Sequence, residues 1–381
     1  MIVACLKKLF LAGMVTIFSV TAAKAAVINS VQAGTVLMTV AVQAVAITAV
    51  NTARSFVICE FSTGGNGSNA AERVTCELNA PATLTITAGA VDATETVRWY
   101  VVEFLSGVTV QRGLTAFAAG TATVAVPIAA VNLGSAFPVT SERTASASQT
   151  IDEQFTFTAQ LTTTTNLQLT RNATGTVASV AWQVIQIESS AVQSGTASIG
   201  IAATTATAVL NPAVDLGRTF LVFSRRAGTA TAGDERRYQT TGEITNGTTL
   251  TFTRAFQNGA ANTQVDIVWY AVRMTDGTTV QRGLQGPSGT GAGSTPQNAV
   301  LAPAIVLNRS VPIVSVRGDA ASGTPNADLD DTSWTAAFTT TTNLQFARNT
   351  GASLTSNATI AWFVVQWANV VNLIDRVEIF P

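Results

Sequence analysis

Residues 97–113 read VRWYVVEFLSGVTVQRG, and this stretch decides the fold that the sequence predicts. A run rich in β-forming residues, 97–104, meets the turn residues Ser106 and Gly107, and a second β-rich run ends at Gly113. Two such runs on either side of a short glycine-containing turn predict a β-hairpin. The stretch contains no pattern typical of a catalytic site.

The same pattern occurs four times in the chain. It returns as VAWQVIQIESSAVQSG at 180–195, as IVWYAVRMTDGTTVQRG at 267–283 and, with an altered end, as IAWFVVQWANVVNLID at 360–375. The distance from one copy to the next is the length of one repeat. A repeat of this length that contains several short β-rich runs has the size of an immunoglobulin-like sandwich. The sequence therefore predicts an all-β fold of four tandem immunoglobulin-like β-sandwich repeats, each of roughly 85–95 residues. The core of each repeat is expected to contain one tryptophan of the set Trp99, Trp182, Trp269 and Trp362.

The repeat pattern also predicts where the domains lie. The expected ranges are a signal peptide at 1–25, repeat 1 at 26–114 with an extra N-terminal strand at 26–34, repeat 2 at 115–195, repeat 3 at 196–284, a Gly/Ser/Pro-rich linker at 285–297 and repeat 4 at 298–381.

The first 25 residues have the pattern of a secretory signal. Lys7 and Lys8 precede an apolar run at 9–20, and Ala23-Lys24-Ala25 has the small-x-small form of a cleavage site. The apolar run is short for a bilayer span, so cleavage after Ala25 is the expectation. We therefore expect a secreted or cell-surface protein without a membrane span after cleavage.

The charged residues argue against several classes of function. All three lysines lie in the first 25 residues, and the remainder has no histidine and carries 18 arginines against 22 acidic residues, a formal charge of −4. This balance gives no basic surface for nucleic acid. Histidine and lysine are the side chains most used as bases, metal ligands and amine nucleophiles near neutral pH. We therefore expect no enzyme, no catalytic residues, no cofactor and no metal site.

The cysteine count predicts one disulfide. Cys5 lies in the signal, which leaves Cys59 and Cys76. An even count in an exported chain favours a bridge, and the alternative is a pair of buried free thiols.

Smaller landmarks recur in every repeat. An Asn or Asp stands five residues before a large apolar residue, as Asn51/Phe56, Asn132/Phe137, Asp215/Phe220 and Asn308/Ile313. A Thr-rich strand ends in arginine in three repeats, and these arginines are interpreted as charges at a sheet edge: Arg171, Arg254 and Arg348. A polar residue stands at one register of each Trp strand, interpreted as its solvent-exposed end or as a ligand position: Glu103, Gln186, Arg273 and Gln366.

The N-terminal strand suggests a route to assembly. Residues 31–35 resemble the second strand of the hairpin, although no Trp strand precedes them. An unpartnered strand can be donated to another subunit, and an open head-to-tail contact yields a filament. The residues proposed for this role are Val27, Ile28, Val31, Gln32 and Gly34. The alternative is that this strand pairs within its own repeat.

Two functions remain open from the sequence. The first is a structural protein that assembles with copies of itself into an extracellular fibre or layer, with strand donation as one route. The second is a non-polymerising adhesin or carbohydrate-binding array, with a surface glycan or protein as partner. Polar, variable loops occupy 62–73, 141–153, 225–237 and 317–331. Loops on a rigid scaffold commonly carry binding residues, and the alternative is that these loops vary by neutral drift.

Overall fold

The structure is a computed structural model that describes residues 25–63, 70–91, 95–145, 152–228, 238–255, 263–287, 295–318, 332–349 and 357–369. It contains four copies of a six-strand unit. Repeat 1 comprises β1 (Val27–Leu37), β2 (Val42–Ala46), β3 (Ser55–Ser62), β4 (Val74–Ala80), β5 (Thr83–Ala88) and β6 (Thr96–Ser106). Repeat 2 comprises β7 (Val108–Phe117), β8 (Thr123–Pro127), β9 (Ala136–Arg143), β10 (Thr158–Thr163), β11 (Asn166–Thr170) and β12 (Ala178–Ile187).

Repeats 3 and 4 follow the same order. Repeat 3 comprises β13 (Ser190–Ile199), β14 (Thr205–Val209), β15 (Thr219–Ala227), β16 (Thr240–Asn246), β17 (Thr249–Arg254) and β18 (Val265–Met274). Repeat 4 comprises β19 (Thr279–Gln285), β20 (Gln297–Val300), β21 (Ser310–Gly318), β22 (Thr335–Thr340), β23 (Asn343–Ala347) and β24 (Ala358–Gln366). Short 3-10 turns occupy Thr52–Arg54, Ala70–Glu72, Asp152–Phe155 and Leu307–Arg309.

Each repeat is a sandwich of two antiparallel three-stranded sheets. In repeat 1 the first sheet has the order β1-β6-β3 and the second has the order β2-β5-β4, and the other repeats follow the same scheme. We call the sheet that contains the Trp strand the inner sheet and its partner the outer sheet. The prediction of an all-β fold with tandem β-sandwich repeats is confirmed.

The predicted hairpin at 97–113 is wrong. Strand β6 lies between β1 and β3 of its own repeat, whereas β7 pairs with β12 of the next repeat. Both edges of β6 are therefore occupied, and the turn at Gly107 (φ 73°) passes the chain to the following repeat. The local pattern of strand, turn and strand is the same for a hairpin and for a connection between sandwiches, so sequence alone did not separate them.

Each repeat therefore ends with its Trp strand, one strand earlier than the predicted domain ranges. The expected boundaries after residues 114 and 195 fall inside β7 and β13, and the boundary after 284 falls at the end of β19. Each repeat begins with its VQ-x-G strand, which fills the place beside the Trp strand. Most of the predicted linker at 285–297 lies outside the described residues.

The N-terminal strand pairs within repeat 1, as the alternative interpretation held. In β1, Gly34 stands opposite Trp99 of β6, as Gly113 stands opposite Trp182 in repeat 2. The five residues proposed for assembly all lie in this paired strand. The premise of strand donation, a first strand without a partner, is therefore wrong for β1.

The Trp strand is apolar on both faces because it separates two cores. In β6, Val97, Trp99 and Val101 pack inside the sandwich of repeat 1. The alternate residues point the other way and pack in a core that the repeats share, with Tyr100 and Phe104 among them. Residues alternate between faces along a strand, so one strand supplies both cores.

The four repeats close into a ring around the shared core. Trp367, just after β24 of repeat 4, contacts Phe56 and Phe104 of repeat 1 and Phe220 of repeat 3, with ring centroids 6.1, 5.1 and 6.2 Å away. Phe137 of repeat 2 in turn contacts Phe220. Buried aromatic pairs of this kind contribute about 0.5–1.5 kcal/mol each beyond their area burial. The centre of the molecule is therefore an aromatic cluster drawn from all four repeats.

Contacts between neighbouring repeats alternate in kind around the ring. Arg112 of repeat 2 donates to the Leu78 carbonyl of repeat 1 at 2.9 Å, and Arg282 of repeat 4 reaches into repeat 3 in the same way. At the other two interfaces a buried tyrosine hydroxyl bonds the neighbour's backbone, from Tyr100 and from Tyr270. The ring thus consists of two similar pairs of repeats.

Candidate functional site

The glycine of the VQ-x-G strand makes room for tryptophan. A Cβ built on Gly34 or Gly195 would lie 2.4 or 2.7 Å from Cζ2 of the opposing Trp99 or Trp269, and the other two repeats are alike. All four repeat tryptophans are buried, with 6–8% of their surface exposed. The recurring Gly–Trp pair is therefore a packing device of the inner sheet.

The glutamine of the same strand holds the connection between the two sheets. Gln111 donates to the Ala129 carbonyl at 2.9 Å and accepts from the Ala129 N–H at 2.6 Å. Equivalent bonds hold Gln32 to Thr48 and connect Gln193 and Gln281 to their own crossovers. The glutamine that recurs in all four VQ-x-G strands thus forms hydrogen bonds with backbone groups.

The polar residue at the end of the Trp strand anchors a loop. Glu103, Gln186 and Gln366 accept the N–H groups of Asn51, Asn132 and Val306 at 2.7, 2.8 and 2.7 Å. The predicted pair in repeat 4, Asn308 and Ile313, is therefore wrong. Val306 and Val311 occupy the positions equivalent to Asn51 and Phe56. Sequence reasoning missed the register because Val replaces Asn there.

The arginines at the ends of the Thr-rich strands are buried, so their interpretation as sheet-edge charges is wrong. Arg171 is fully buried and donates to the carbonyls of Thr121 and Ala118, each at 2.9 Å. Arg254 is 2% exposed and bonds the Gly200 carbonyl at 2.8 Å. Burial lowers the pKa of both guanidinium groups. Each arginine satisfies carbonyl groups in the connections beside its own outer sheet.

One position in every repeat makes an equivalent contact with the next repeat. The N–H groups of Cys76, Ala159 and Gly242 donate to the hydroxyls of Ser141, Ser224 and Ser315 at 3.2, 2.9 and 3.1 Å. At the fourth interface, the Ala336 N–H donates to the Glu60 carboxyl group at 2.5 Å and closes the ring. The donors are small residues because the strand lies directly against its neighbour.

The predicted disulfide joins Cys59 and Cys76, with a Cα–Cα distance of 6.4 Å. It connects β3 of the inner sheet with β4 of the outer sheet, at the base of the variable segment of repeat 1. The bridge therefore holds the two ends of that segment together.

A cavity of about 270 Å³ lies where the four repeats meet, and we call it the axial cavity. Its walls combine charged, amide and aromatic side chains from every repeat. The residues that form it include Glu60, Phe61 and Arg73 of repeat 1, Glu142 of repeat 2, Phe223, Arg225 and Gln239 of repeat 3, and Ser315, Ser333, Trp334 and Phe363 of repeat 4.

The ends of the four variable segments border the axial cavity. Phe61 and Arg73 lie at the two ends of the segment of repeat 1, Glu142 lies at the start of that of repeat 2, and Arg225 and Gln239 lie at the two ends of that of repeat 3. In repeat 4, the flanking residues are Val316 and Thr332. We call this end of the ring the loop end. The central parts of these segments, at 64–69, 146–151, 229–237 and 319–331, lie outside the described residues.

Glu60 is the unusual group of the axial cavity. It is buried, and its second carboxyl oxygen, Oε1, has no hydrogen-bond partner among the residues that the structure describes. Burial raises its pKa to about 8, although the Ala336 N–H and the Arg98 guanidinium act in the opposite direction. The other repeats have serine at this position, so the ring carries one such carboxyl group. The repeat pattern did not predict Glu60, because this residue replaces the serine that the other repeats have at this position.

Other charges near the cavity are paired. The Arg73 guanidinium lies 3.7 Å from the Glu142 carboxylate and connects the segments of repeats 1 and 2. Arg225 donates to Gln239 across the base of the repeat 3 segment. The lining therefore carries charges of both signs.

Within the described ranges, no group of three or more His, Cys, Asp or Glu side chains could hold a metal ion. Among those residues, no helix has the length and apolar composition needed to cross a membrane. No known protein family matches the chain. A search of curated proteins finds no significant relative.

Proposed function

We propose that this chain is an extracellular, non-catalytic recognition protein that binds its partner, a surface glycan or protein, at the loop end of the ring. The observation that supports the proposal is that the described ends of four variable segments border one polar cavity at one end of a closed scaffold. Binding residues are commonly placed on loops that a rigid scaffold positions. The earlier expectation of a linear array of modules is replaced by a single ring with one loop end.

The use of the recurring residues supports this proposal. The Gly–Trp pairs, the glutamines and the strand-end arginines all serve packing or backbone contacts. Three residues near the loop end, Glu60, Arg73 and Arg225, are replaced by other residue types at the corresponding positions of the other repeats. A scaffold built from common residues with one variable end is typical of recognition proteins.

A binding screen with two matched variants tests the proposal. The chain from Ala26 is applied to an array of defined glycans and extracellular proteins. In the first variant, Asp234, Glu235, Arg236 and Arg237 are replaced by serine. In the second, Thr249, Thr251 and Thr253 of the outer sheet are replaced by serine. We expect binding that the first variant weakens and the second retains. The reverse pattern, or no binding across the array, would contradict recognition at the loop end.

A second candidate function is self-assembly into an extracellular fibre or layer. Within the described part of the chain, strands β2, β8, β14 and β20 each pair on one side only. Their exposed residues are uncharged, with Val42, Val209 and Val300 well exposed. Soluble β-proteins commonly protect such edges with charges. These unprotected edges favour assembly by side-by-side contact between rings. Donation of β1 is no longer the expected route, because β1 pairs within its own repeat.

Electron microscopy of the chain from Ala26 tests self-assembly. Under this proposal, wild type forms filaments or layers, and a Val209→Glu/Val300→Glu variant remains as single particles. A matched Val209→Thr/Val300→Thr variant keeps the β propensity and should still assemble. Single particles of wild type at every concentration would contradict the second candidate.

A further inference from the structure

We propose that a groove between repeats 3 and 4 binds a small zwitterion of the amino-acid class, with the ligand's ammonium group on Glu243 and its carboxylate on Arg282. This groove, which we call the 3–4 groove, has a volume of about 270 Å³. Its walls are residues 242–245 of β16, residues 282–284 of β19 and residues 361–363 of β24. The inference goes beyond the proposed recognition function and does not depend on it.

The first argument is the unpaired carboxylate of Glu243. Its side chain is partly buried, and it has no hydrogen bond or ion pair among the residues that the structure describes. The equivalent Glu77 of repeat 1 lies 3.3 Å from the Arg143 guanidinium. Arg317, the equivalent of Arg143, donates to the Thr241 hydroxyl at 2.9 Å and acts on Glu243 only through its charge, which opposes the rise in the pKa of Glu243 that burial causes. Carboxylates that lose part of their hydration are commonly paired, so Glu243 has acceptor capacity left for a ligand.

The second argument is the unused donors of Arg282. This side chain donates to the Leu216 carbonyl at 2.8 Å and makes no other hydrogen bond or ion pair within the described ranges. The equivalent Arg112 makes three such bonds, to the carbonyls of Leu78, Thr52 and Ser55. A guanidinium group carries five N–H donors in a planar fork that matches a carboxylate. The remaining donors of Arg282 can therefore receive a carboxylate in the groove.

The third argument is the accessibility of these atoms. Both residues line the 3–4 groove, and none of their unpaired polar atoms is cut off from solvent. At the interface of repeats 1 and 2, by contrast, the Arg112 Nε atom is fully buried. Gln183 also fills part of that interface with two bonds to the Val57 backbone, where repeat 4 has Phe363. The interface of repeats 3 and 4 therefore leaves room and polar groups that its counterpart uses internally.

The fourth argument is the combination of opposite charges. Glu243 and Arg282 line one groove but form no ion pair with each other. A simple cation would meet the Arg282 guanidinium, and a simple anion would meet the Glu243 carboxylate, so each would face one like charge. A molecule with both an ammonium group and a carboxylate forms a charge-assisted hydrogen bond with each residue.

The apolar part of the wall can hold the ligand's side chain. Leu284 is 48% exposed and lines the groove together with Ile244 and Trp362. Ligand sites commonly combine apolar walls with a few convergent polar groups, and drug-sized molecules occupy about 300–1,000 Å³. The 3–4 groove is slightly smaller, which fits a single amino acid. We therefore expect leucine to bind more tightly than glycine.

Titration calorimetry of the chain from Ala26 tests the inference with leucine, glycine, β-alanine and γ-aminobutyrate, which differ in side chain or in the spacing of their charges. Two single-charge probes resemble leucine: isoamylamine lacks the carboxylate, and isocaproate lacks the ammonium group. We expect saturable 1:1 binding of at least one zwitterion in the millimolar range, and binding of both single-charge probes that is at least tenfold weaker. Absence of saturable binding by every zwitterion, or equally tight binding of a single-charge probe, would overturn the inference.

Matched variants assign the binding to the groove. Glu243→Gln should weaken leucine binding at least tenfold, the scale of one hydrogen bond to a charged group, whereas Glu77→Gln at the equivalent interface should bind as wild type. Arg282→Lys keeps the charge but loses the planar fork and should also weaken binding. Leu284→Ala should reduce the preference for leucine over glycine, and Leu114→Ala should retain it. Unchanged binding in Glu243→Gln, or an unchanged preference in Leu284→Ala, would place the ligand elsewhere and overturn the inference.

Two further measurements keep the test decisive. If Glu243→Gln does not fold, a crystal structure of wild type with leucine must place the ammonium nitrogen within hydrogen-bond distance of the Glu243 carboxylate, and a ligand elsewhere would refute the assignment. The loop-end variant with serine at positions 234–237 leaves the groove unchanged and should bind leucine as wild type. Leucine binding that is lost in this variant would contradict the groove. Array binding without any leucine binding would leave the recognition function in place and remove the zwitterion site.

Discussion

The backbone N–H of Ala336 in repeat 4 donates a 2.5 Å hydrogen bond to the carboxyl group of Glu60 in repeat 1, 276 residues earlier in the chain. This bond stands where Ser141, Ser224 and Ser315 close the other three interfaces. It therefore links the two ends of the repeat array, and a titratable group is part of the closure.

The stability of the ring should fall as pH rises from about 4.5 to about 8. Burial raises the pKa of Glu60 from 4.5 to about 8, so the folded state binds this proton more tightly than the unfolded state. The contribution is fully present below the unfolded pKa and is lost as pH rises through the folded pKa, with a slope of up to about 1.4 kcal/mol per pH unit. Denaturant unfolding at a series of pH values measures the slope.

The matched variants for this prediction are Glu60→Gln and Glu77→Gln. Glu60→Gln cannot ionise, so its unfolding free energy should vary less with pH over this window. Glu77→Gln leaves Glu60 in place and should retain the wild-type slope. An equal slope in wild type and Glu60→Gln would show that Glu60 is not the source.

Gly195→Ala should destabilise the protein by about 1–3 kcal/mol, the usual cost of overpacking a core. The new methyl group would lie 2.7 Å from Cζ2 of the buried Trp269. Gly200→Ala, five residues along the chain, meets no atom within 4 Å and is the matched control. Thermal melting of the two variants compares them directly, and equal melting temperatures would be inconsistent with the Gly–Trp packing.

Arg254→Met should cost about 2–4 kcal/mol, because several buried carbonyl groups lose their donor. Arg254 is 2% exposed and reaches the carbonyls of Gly200 and Thr263. Arg218→Met removes an exposed i,i+3 ion pair with Asp215 and should change stability by less than about 1 kcal/mol. Urea unfolding measures both, and a small effect at Arg254 would contradict a structural role for its bonds.

Reduction of the Cys59–Cys76 disulfide should lower the unfolding free energy by about 3 kcal/mol, the value expected for a short closed loop. The two cysteines are 17 residues apart. Unfolding with and without reductant measures the difference, and a Cys59→Ala/Cys76→Ala variant should show no response to reductant. A reductant effect that persists in this variant would have to come from another source.

Much of the local structure could be predicted from residue patterns. Strand content, the fourfold repeat, the sandwich architecture and the disulfide follow from alternation, turn residues, the recurring Trp and the cysteine count. The buried role of Arg171 could not be predicted, because an arginine at the end of a Thr-rich strand looks the same whether its head group meets water or carbonyl groups. The candidate site was only partly predictable, since the variable segments marked its border but Glu60 did not stand out.

The sequence by itself determined the all-β class, the fourfold repeat and the tryptophan in the core of each repeat, because these depend on residue patterns within short stretches of the chain. The tertiary structure alone decided that β7 pairs with β12 rather than β6, and that repeat 4 meets repeat 1. Strand β7 pairs with β12 because both edges of β6 are already occupied. Repeat 4 meets repeat 1 because the second apolar face of each Trp strand must be covered, and no local sequence pattern specifies which element covers it. Ring closure around Trp367 buries that face and brings Glu60, a residue of the axial cavity wall, to Ala336.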